Sequence, residues 1–178
     1  MRHYIRDHTK GGCYFLTFNL LNRQSQLLLV HIEQFRDAYA KTIKRHSFVL
    51  DAMVVLPDHV HMIITLPPDS DDYATIVASL KSQFSRQINK TEIITSSRQA
   101  KRERGIWQRR FWEHRIRNEI DYQNHMDYIH NNPVKHGYVT TPQDWQYSTL
   151  HKLIKKGVYP VNWGTDENKK SINIRYDR

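Results

Sequence analysis

The stretch FVLDAMVVLPDHVHMIITL, residues 48–66, decides how the rest of the chain is read. Residues 48–56 are apolar and β-prone, Pro57-Asp58 is a turn signal, and residues 59–66 are β-prone again, so the stretch predicts a hairpin. Upstream, CYFLTFNL (13–20) alternates and is rich in aromatics, which predicts a first strand reached through Gly11-Gly12. Between that strand and the hairpin, Ile32, Phe35, Tyr39 and Ile43 recur at steps of three and four. This is the period of an amphipathic helix over about 30–45. Downstream of the acidic linker PPDSDD, Ile76, Leu80, Phe84 and Ile88 repeat at steps of four and predict a second helix from 73 to about 89.

A polar, basic stretch to Gly105 reads as a loop. IWQRRFWEHRI (106–116) reads as a strand with Trp107, Arg109, Phe111 and Glu113 on one face and Gln108, Arg110, Trp112 and His114 on the other. The order strand, helix, strand, strand, helix, strand predicts an α+β, ferredoxin-like βαββαβ antiparallel sheet with both helices on one face. Asn118 is a good N-cap for a further helix, with Glu119 and Asp121 in its first turn, and Pro133 should stop that helix near Asn132. Residues 1–178 form one expected domain, with a core over about 11–140 and an extension over about 141–178 that wraps the domain or hangs free.

With 178 residues and a 39% hydrophobic fraction, the chain is long enough to bury a core without staples, and a single cysteine, Cys13, excludes a disulfide scaffold. Mean hydropathy is −0.73, and no stretch approaches the roughly 20 apolar residues of a membrane helix. The first 30 residues have no signal-peptide pattern. A soluble, cytoplasmic protein is expected, with no membrane partner. The formal charge is +9, and it is concentrated. Residues 81–117 hold eleven Lys or Arg against three acids, so +8 of the excess lies there and a polyanion is the natural partner. A solvated basic surface is the competing reading.

Two groups of residues can carry chemistry. His59-Val60-His61 opens the third predicted strand, and alternation puts both imidazoles on one face, where they either hydrogen-bond locally or share a divalent ion. The second group is DYQNHMDYIHNNP (121–133), with Tyr122 and Tyr128 as candidate nucleophiles and His125, His130, Asn131 and Asn132 as candidate polar partners. Packing is the alternative role for both tyrosines.

Five strings in order, GGCYFLTFN, VVLPDHVHMIITLP, IWQRRFWEHRIRNE, DYIHNNPVKHGYV and DWQYST with GVYPVNW, resemble the REP-associated tyrosine transposases. These are a bacterial group within the HUH single-tyrosine superfamily, and the likeness runs across roughly residues 11–163. It implies a nuclease acting on single-stranded DNA at palindromic repeats (REP) that form hairpins, with Mg2+ or Mn2+ and one nucleophilic tyrosine. The family's His-hydrophobic-His pair falls on His59 and His61, and its nucleophile on Tyr128. The polar residue one turn later, which completes the metal site in related transposases, falls on Asn132, while His130 is a candidate phosphate contact.

The expected chemistry is strand cleavage through a 5′-phosphotyrosine and rejoining by a 3′-hydroxyl. Arg102, Arg104, Arg109, Arg110, Arg115 and Arg117 would hold the DNA backbone, with Trp107, Trp112 or Tyr14 stacking on unpaired bases. Such a protein would be bacterial and nucleoid-associated when bound to DNA, as a monomer or a dimer. Two other functions compete: a non-cleaving binder of nucleic-acid hairpins on the same fold, and a zinc hydrolase. The zinc reading is weakened because no third His, Asp or Glu stands at the usual ligand spacing.

Overall fold

The structure, a computed structural model, describes residues 6–165. Its strands are β1 (Cys13–Asn19), β2 (Val49–Val55), β3 (His59–Thr65) and β4 (Trp112–Arg115). Helices α1 (Leu27–Val30) and α2 (Ile32–Arg45) lie between β1 and β2, and α3 (Tyr73–Arg86) and α4 (Ser96–Ala100) between β3 and β4. Helix α5 (Glu119–Lys135), a 3-10 turn at Pro142–Asp144 and α6 (Leu150–Lys155) follow. The sheet order is β2-β3-β1-β4 with every neighbouring pair antiparallel, the ferredoxin-like α+β arrangement expected from the order of elements. Gly11 makes the sharp approach to β1 at φ +66°, where an added Cβ would sit 3.1 Å from Pro68 Cα.

Strand alternation divides the core in two. Tyr14, Leu16 and Phe18 of β1, with Val60, Met62 and Ile64 of β3, face α2 and α3, which supply Phe35, Ala38, Leu80 and Phe84. Phe15, Ala52, Val54 and Ile63 turn to the opposite face, where Met126 and Ile129 of α5 meet Trp145, Leu150 and Tyr159 from the chain beyond it. The described part of the extension therefore wraps the domain. Because β3 is covered on both faces, its first six residues are all buried, the pattern of a central strand. Burial of each apolar one, Val60, Met62, Ile63 and Ile64, contributes about 1.5–3 kcal/mol over leaving it in water. Among the described residues, no helix is long and apolar enough to cross a membrane.

Two expected boundaries are corrected. The strand over 106–116 is broken: Trp107 bridges to Leu20, but the register is two residues out of step with the Thr17–Trp112 pair, and only Trp112–Arg115 is regular strand. A two-residue offset preserves alternation, so Trp107 and Phe111 still pack on the α2/α3 side while His114, paired with Phe15, faces α5. Helix α5 also runs through Pro133 to Lys135. The proline sits in the last turn, where its missing N–H costs one helical bond, and its carbonyl accepts from Tyr138 N at 2.9 Å while Gly137 N donates to Val134 O. Gly137, at φ +71°, closes this cap.

Candidate active site

His59 and His61 lie on the α5-facing side of β3 and are 3% and 1% exposed. Each ring is fixed through Nδ1. His59 Nδ1 lies 2.7 Å from Asp58 Oδ1, and His61 Nδ1 lies 2.6 Å from Thr17 Oγ1 on the neighbouring strand. Those contacts turn the Nε2 edges away from their partners, as in metal sites where a carboxylate or hydroxyl orients the ligating imidazole. Asp58 is itself buried and pairs with Arg23 at 3.0 Å. Burial pushes its pKa up, but the hydrogen bond and charge of His59, together with Arg23, outweigh this and hold the carboxyl below its usual range.

Helix α5 crosses above, and its 3.6-residue period stacks His125, Tyr128, Asn132 and His136 along one side. Tyr128, 2% exposed, meets the His61 ring at 5.3 Å between centroids and Phe15 at 5.8 Å. His136 meets His59 at 5.3 Å. Asn132 stands one turn from each of these residues, so the helix carries it over the histidine pair. It is fully buried, and neither polar atom of its carboxamide has a hydrogen-bond partner among the described residues. An unsatisfied buried amide costs about 1–3 kcal/mol, and an ion held by two imidazole nitrogens and this oxygen would relieve it. The residues therefore fit a divalent cation. Lys135 places its ammonium 5.0 Å from the Tyr128 ring centroid, adding positive charge beside the hydroxyl-bearing ring.

The other α5 candidates face elsewhere. The Tyr122 hydroxyl donates to Asp51 Oδ1 at 3.1 Å, and burial followed by the Asp51 charge pushes its pKa well up, an environment opposed to forming a phenolate. His130 is fully buried among Tyr159, Trp163 and Thr149, with Nε2 3.0 Å from Thr149 Oγ1; burial pushes its pKa down to about 3. It is a core residue and cannot touch phosphate. His125 lies against His114 of β4 and Asp121, and these three are the one group of His, Cys, Asp or Glu among the described residues whose ligand atoms converge within 4.8 Å. That group spans a strand and a helix start, so only its Asp121–His125 half, one helical turn apart, was visible in spacing.

The basic strip divides by burial. Arg102, Arg109, Arg110 and Arg117 are exposed, Arg109 pairing with Glu103 at 2.9 Å, while Arg115 is half-buried and pairs with Asp7 at 2.9 Å. Arg104 is turned inward to Glu92 and to the carbonyls of Ser85, Ile88 and Asn89, so it ties the loop to the end of α3. Trp107 is 9% exposed and its Nε1 donates to Lys81 O and Ser85 Oγ, while Tyr14 is fully buried. Neither ring is open to a base; Trp112, 47% exposed, is. Between α3 and residues 98–109 runs a groove of about 530 Å3 lined by Lys81, Arg86, Arg98, Arg102 and Arg109.

The family model described as "Transposase IS200 like" matches residues 13–132, which include the histidine pair, Tyr128 and Asn132. The chain is 47% identical over 171 residues to a protein of Haemophilus influenzae assigned to the REP-associated tyrosine transposases, covering 96% of this chain and 97% of that one. To the REP-associated tyrosine transposase of Escherichia coli K12 it is 42% identical over 166 residues, covering 93% of each. A solved REP-associated tyrosine transposase bound to a REP hairpin superposes with a TM-score of 0.80 at 41% identity, with full coverage of both chains. The fold is that of the REP-associated tyrosine transposase solved with its hairpin. The chain belongs to the IS200-like transposase family, in its REP-associated tyrosine group.

Proposed function

We propose that this chain nicks and rejoins single-stranded DNA beside REP-type hairpins, with Tyr128 as nucleophile and His59, His61 and Asn132 holding Mg2+ or Mn2+. The observation that carries this reading is Asn132, buried with its carboxamide unpartnered, one turn from Tyr128 and above the histidine pair. When bound, the cation supplies charge neutralisation at the scissile phosphate. Tyr128 Oη attacks phosphorus, its proton passing to water; the bond to the 3′ oxygen breaks, and that oxygen takes up a proton to leave as a 3′-hydroxyl. The new O–P bond is a 5′-phosphotyrosine, which keeps the energy of the broken diester so that a 3′-hydroxyl can reverse the step without a nucleotide cofactor. Lys135, by its ammonium above the Tyr128 ring, favours the developing phenolate.

The exposed Arg102, Arg109, Arg110 and Arg117, with the half-buried Arg115, grip the phosphate backbone; Arg102 and Arg109 line the groove, and Arg104 and Trp107 shape it from beneath. Residues 1–178 act as one nuclease domain, in the cytoplasm and at the nucleoid when DNA is bound.

The second reading, a non-cleaving hairpin binder, is favoured by one observation: the Tyr128 ring is only 2% exposed. Labelled single strands carrying a REP hairpin, incubated with the protein and with or without Mg2+ or Mn2+, separate the two. The nuclease yields a shortened strand and a detergent-stable protein–DNA adduct only with metal, whereas the binder yields a retarded complex and neither product.

A further inference from the structure

We propose that His114, Asp121 and His125 form a second cation site, suited to a borderline-soft divalent ion such as Zn2+, which fastens the start of α5 to β4. The three residues are brought together by two independent pieces of local structure. On β4, alternation turns His114 to the α5 side, opposite Phe15. At the start of α5, Asn118 accepts from Asp121 N at 2.9 Å, and the Asp121 carboxylate accepts from Arg117 N at 3.0 Å. That cap fixes the carboxylate beside the strand. His125 follows one helical turn later, fully buried.

The geometry is close to what an ion of this class needs. His114 Nε2 lies 2.9 Å from Asp121 Oδ2, and His125 Nδ1 lies 3.0 Å from Asp121 Oδ1 and 2.8 Å from the Asp121 carbonyl oxygen, a contact the ion would replace. The two imidazoles are stacked, with centroids 4.7 Å apart and planes 16° from parallel, so both present a nitrogen edge to the same carboxylate. One ligand atom from each residue falls within 4.8 Å of the other two. An ion at about 2.0–2.2 Å from two imidazole nitrogens and a carboxylate oxygen would fit between such atoms with only small side-chain movement. Two nitrogens and one oxygen match Zn2+ and its neighbours better than Mg2+ or Ca2+, which take oxygen ligands. A water would complete four-coordination on the exposed side of His114.

This cluster is distinct from the pair on β3. Phe15 stands between them, stacked on His61 at 5.5 Å and tilted against His125 at 4.8 Å. An ion here would stand apart from the β3 pair, and its effect would be mechanical. Tyr128 follows His125 by one turn, so fixing His125 to the strand sets where the helix carries the tyrosine. The inference stands apart from the nuclease reading: zinc can be retained by a chain that does not cleave, and cleavage can occur with this cluster only hydrogen-bonded.

The test counts metal directly. In the His59→Ala/His61→Ala chain, which lacks the first histidine pair, equilibrium dialysis against Zn2+ followed by elemental analysis should find about one ion per chain, and Zn2+ should raise Tm. Adding His114→Gln or Asp121→Asn should remove that ion and the Tm shift. These two positions are partly exposed and the replacements keep shape and hydrogen bonding, with circular dichroism checking the fold. Cobalt bound at the same stoichiometry should show the visible bands of a four-coordinate site. No zinc retained by the double variant, or zinc undiminished by both added substitutions, would overturn the proposal.

Discussion

The edge of the Tyr128 ring meets His61 across the boundary between α5 and β3, with centroids 5.3 Å apart and planes at 71°. Strand periodicity puts His61 on that face, helix periodicity puts Tyr128 on the facing side of α5, and Phe15 fills the space beside both. As the proposed nucleophile, Tyr128 reaches the histidine face without a loop to deliver it. Its position is set by the packing of a helix on a sheet, which is more exact than a loop can offer.

Tyr128→Phe removes only a hydroxyl from a packed ring, so the fold and hairpin binding should survive while cleavage falls by at least ~10³-fold. Tyr122→Phe loses a bond to Asp51 and should lower stability by about 1 kcal/mol with cleavage retained. Peptide mapping of the trapped adduct reads the attachment site, and a nucleotide found on Tyr122 would refute the assignment.

Asp58→Asn keeps the size of the side chain but removes the charge that holds His59. Metal affinity, measured as the Mn2+ concentration giving half-maximal cleavage, should weaken by about 10–100-fold, with hairpin affinity little changed. His59→Ala and His61→Ala should abolish cleavage, and full cleavage in excess EDTA would rule out the proposed metal role.

Hairpin affinity should fall steeply with salt. Arg110→Ala and Arg117→Ala, at exposed positions, should each reduce the slope of log affinity against log salt by about one unit. Slopes equal to that of the unaltered chain would mean the strip is only a solvated surface.

Arg104→Ala should act on stability instead of salt dependence, at about 2 kcal/mol, because its guanidinium is committed to Glu92 and three carbonyls. The hydrogen bond from Arg104 pushes the Glu92 pKa down to about 2 from an ordinary 4.5. A carboxyl whose pKa is lower when folded contributes stability that is complete above 4.5 and lost as pH falls from 4.5 to about 2. Urea unfolding should show that acid limb in the unaltered chain and a flatter one in Arg104→Ala; identical limbs would exclude the coupling.

Much of the fold was legible because alternation and helical period are local. The hairpin over 48–66, the two helices on one face and the Asn118 cap all rest on residues within one turn or one strand. The second layer was not, since α5 and the extension cover β3 through Trp145, Leu150 and Tyr159, residues far from it in the chain. Pro133 misled for a related reason: its own preference opposes a helix, and only the cap through Tyr138 and Gly137 with the burial of Asn132 overrides it. The histidine pair was visible in its spacing, while Asp58 and Thr17, which orient the rings, look like a turn residue and an ordinary strand threonine until the strands are paired. Likewise Arg104 and Trp107 carry the charge and ring of DNA contacts, and composition cannot reveal which way a side chain turns.

The outer side of β2 is closed by the chain that follows α5: Val55 N donates to Tyr147 O and Thr149 N to Met53 O, both at 2.9 Å, and Thr149 Oγ1 accepts from Met53 N. Those bonds occupy the backbone groups by which an unfinished sheet recruits strands from other molecules. At the opposite border β4 is only four residues long and carries Glu113, His114 and Arg115. The molecule thus resists edge-to-edge aggregation by different means on its two borders. Cutting the chain back to the matched span, residues 13–132, would leave β2 bare, and such a fragment should precipitate where the whole chain stays dispersed.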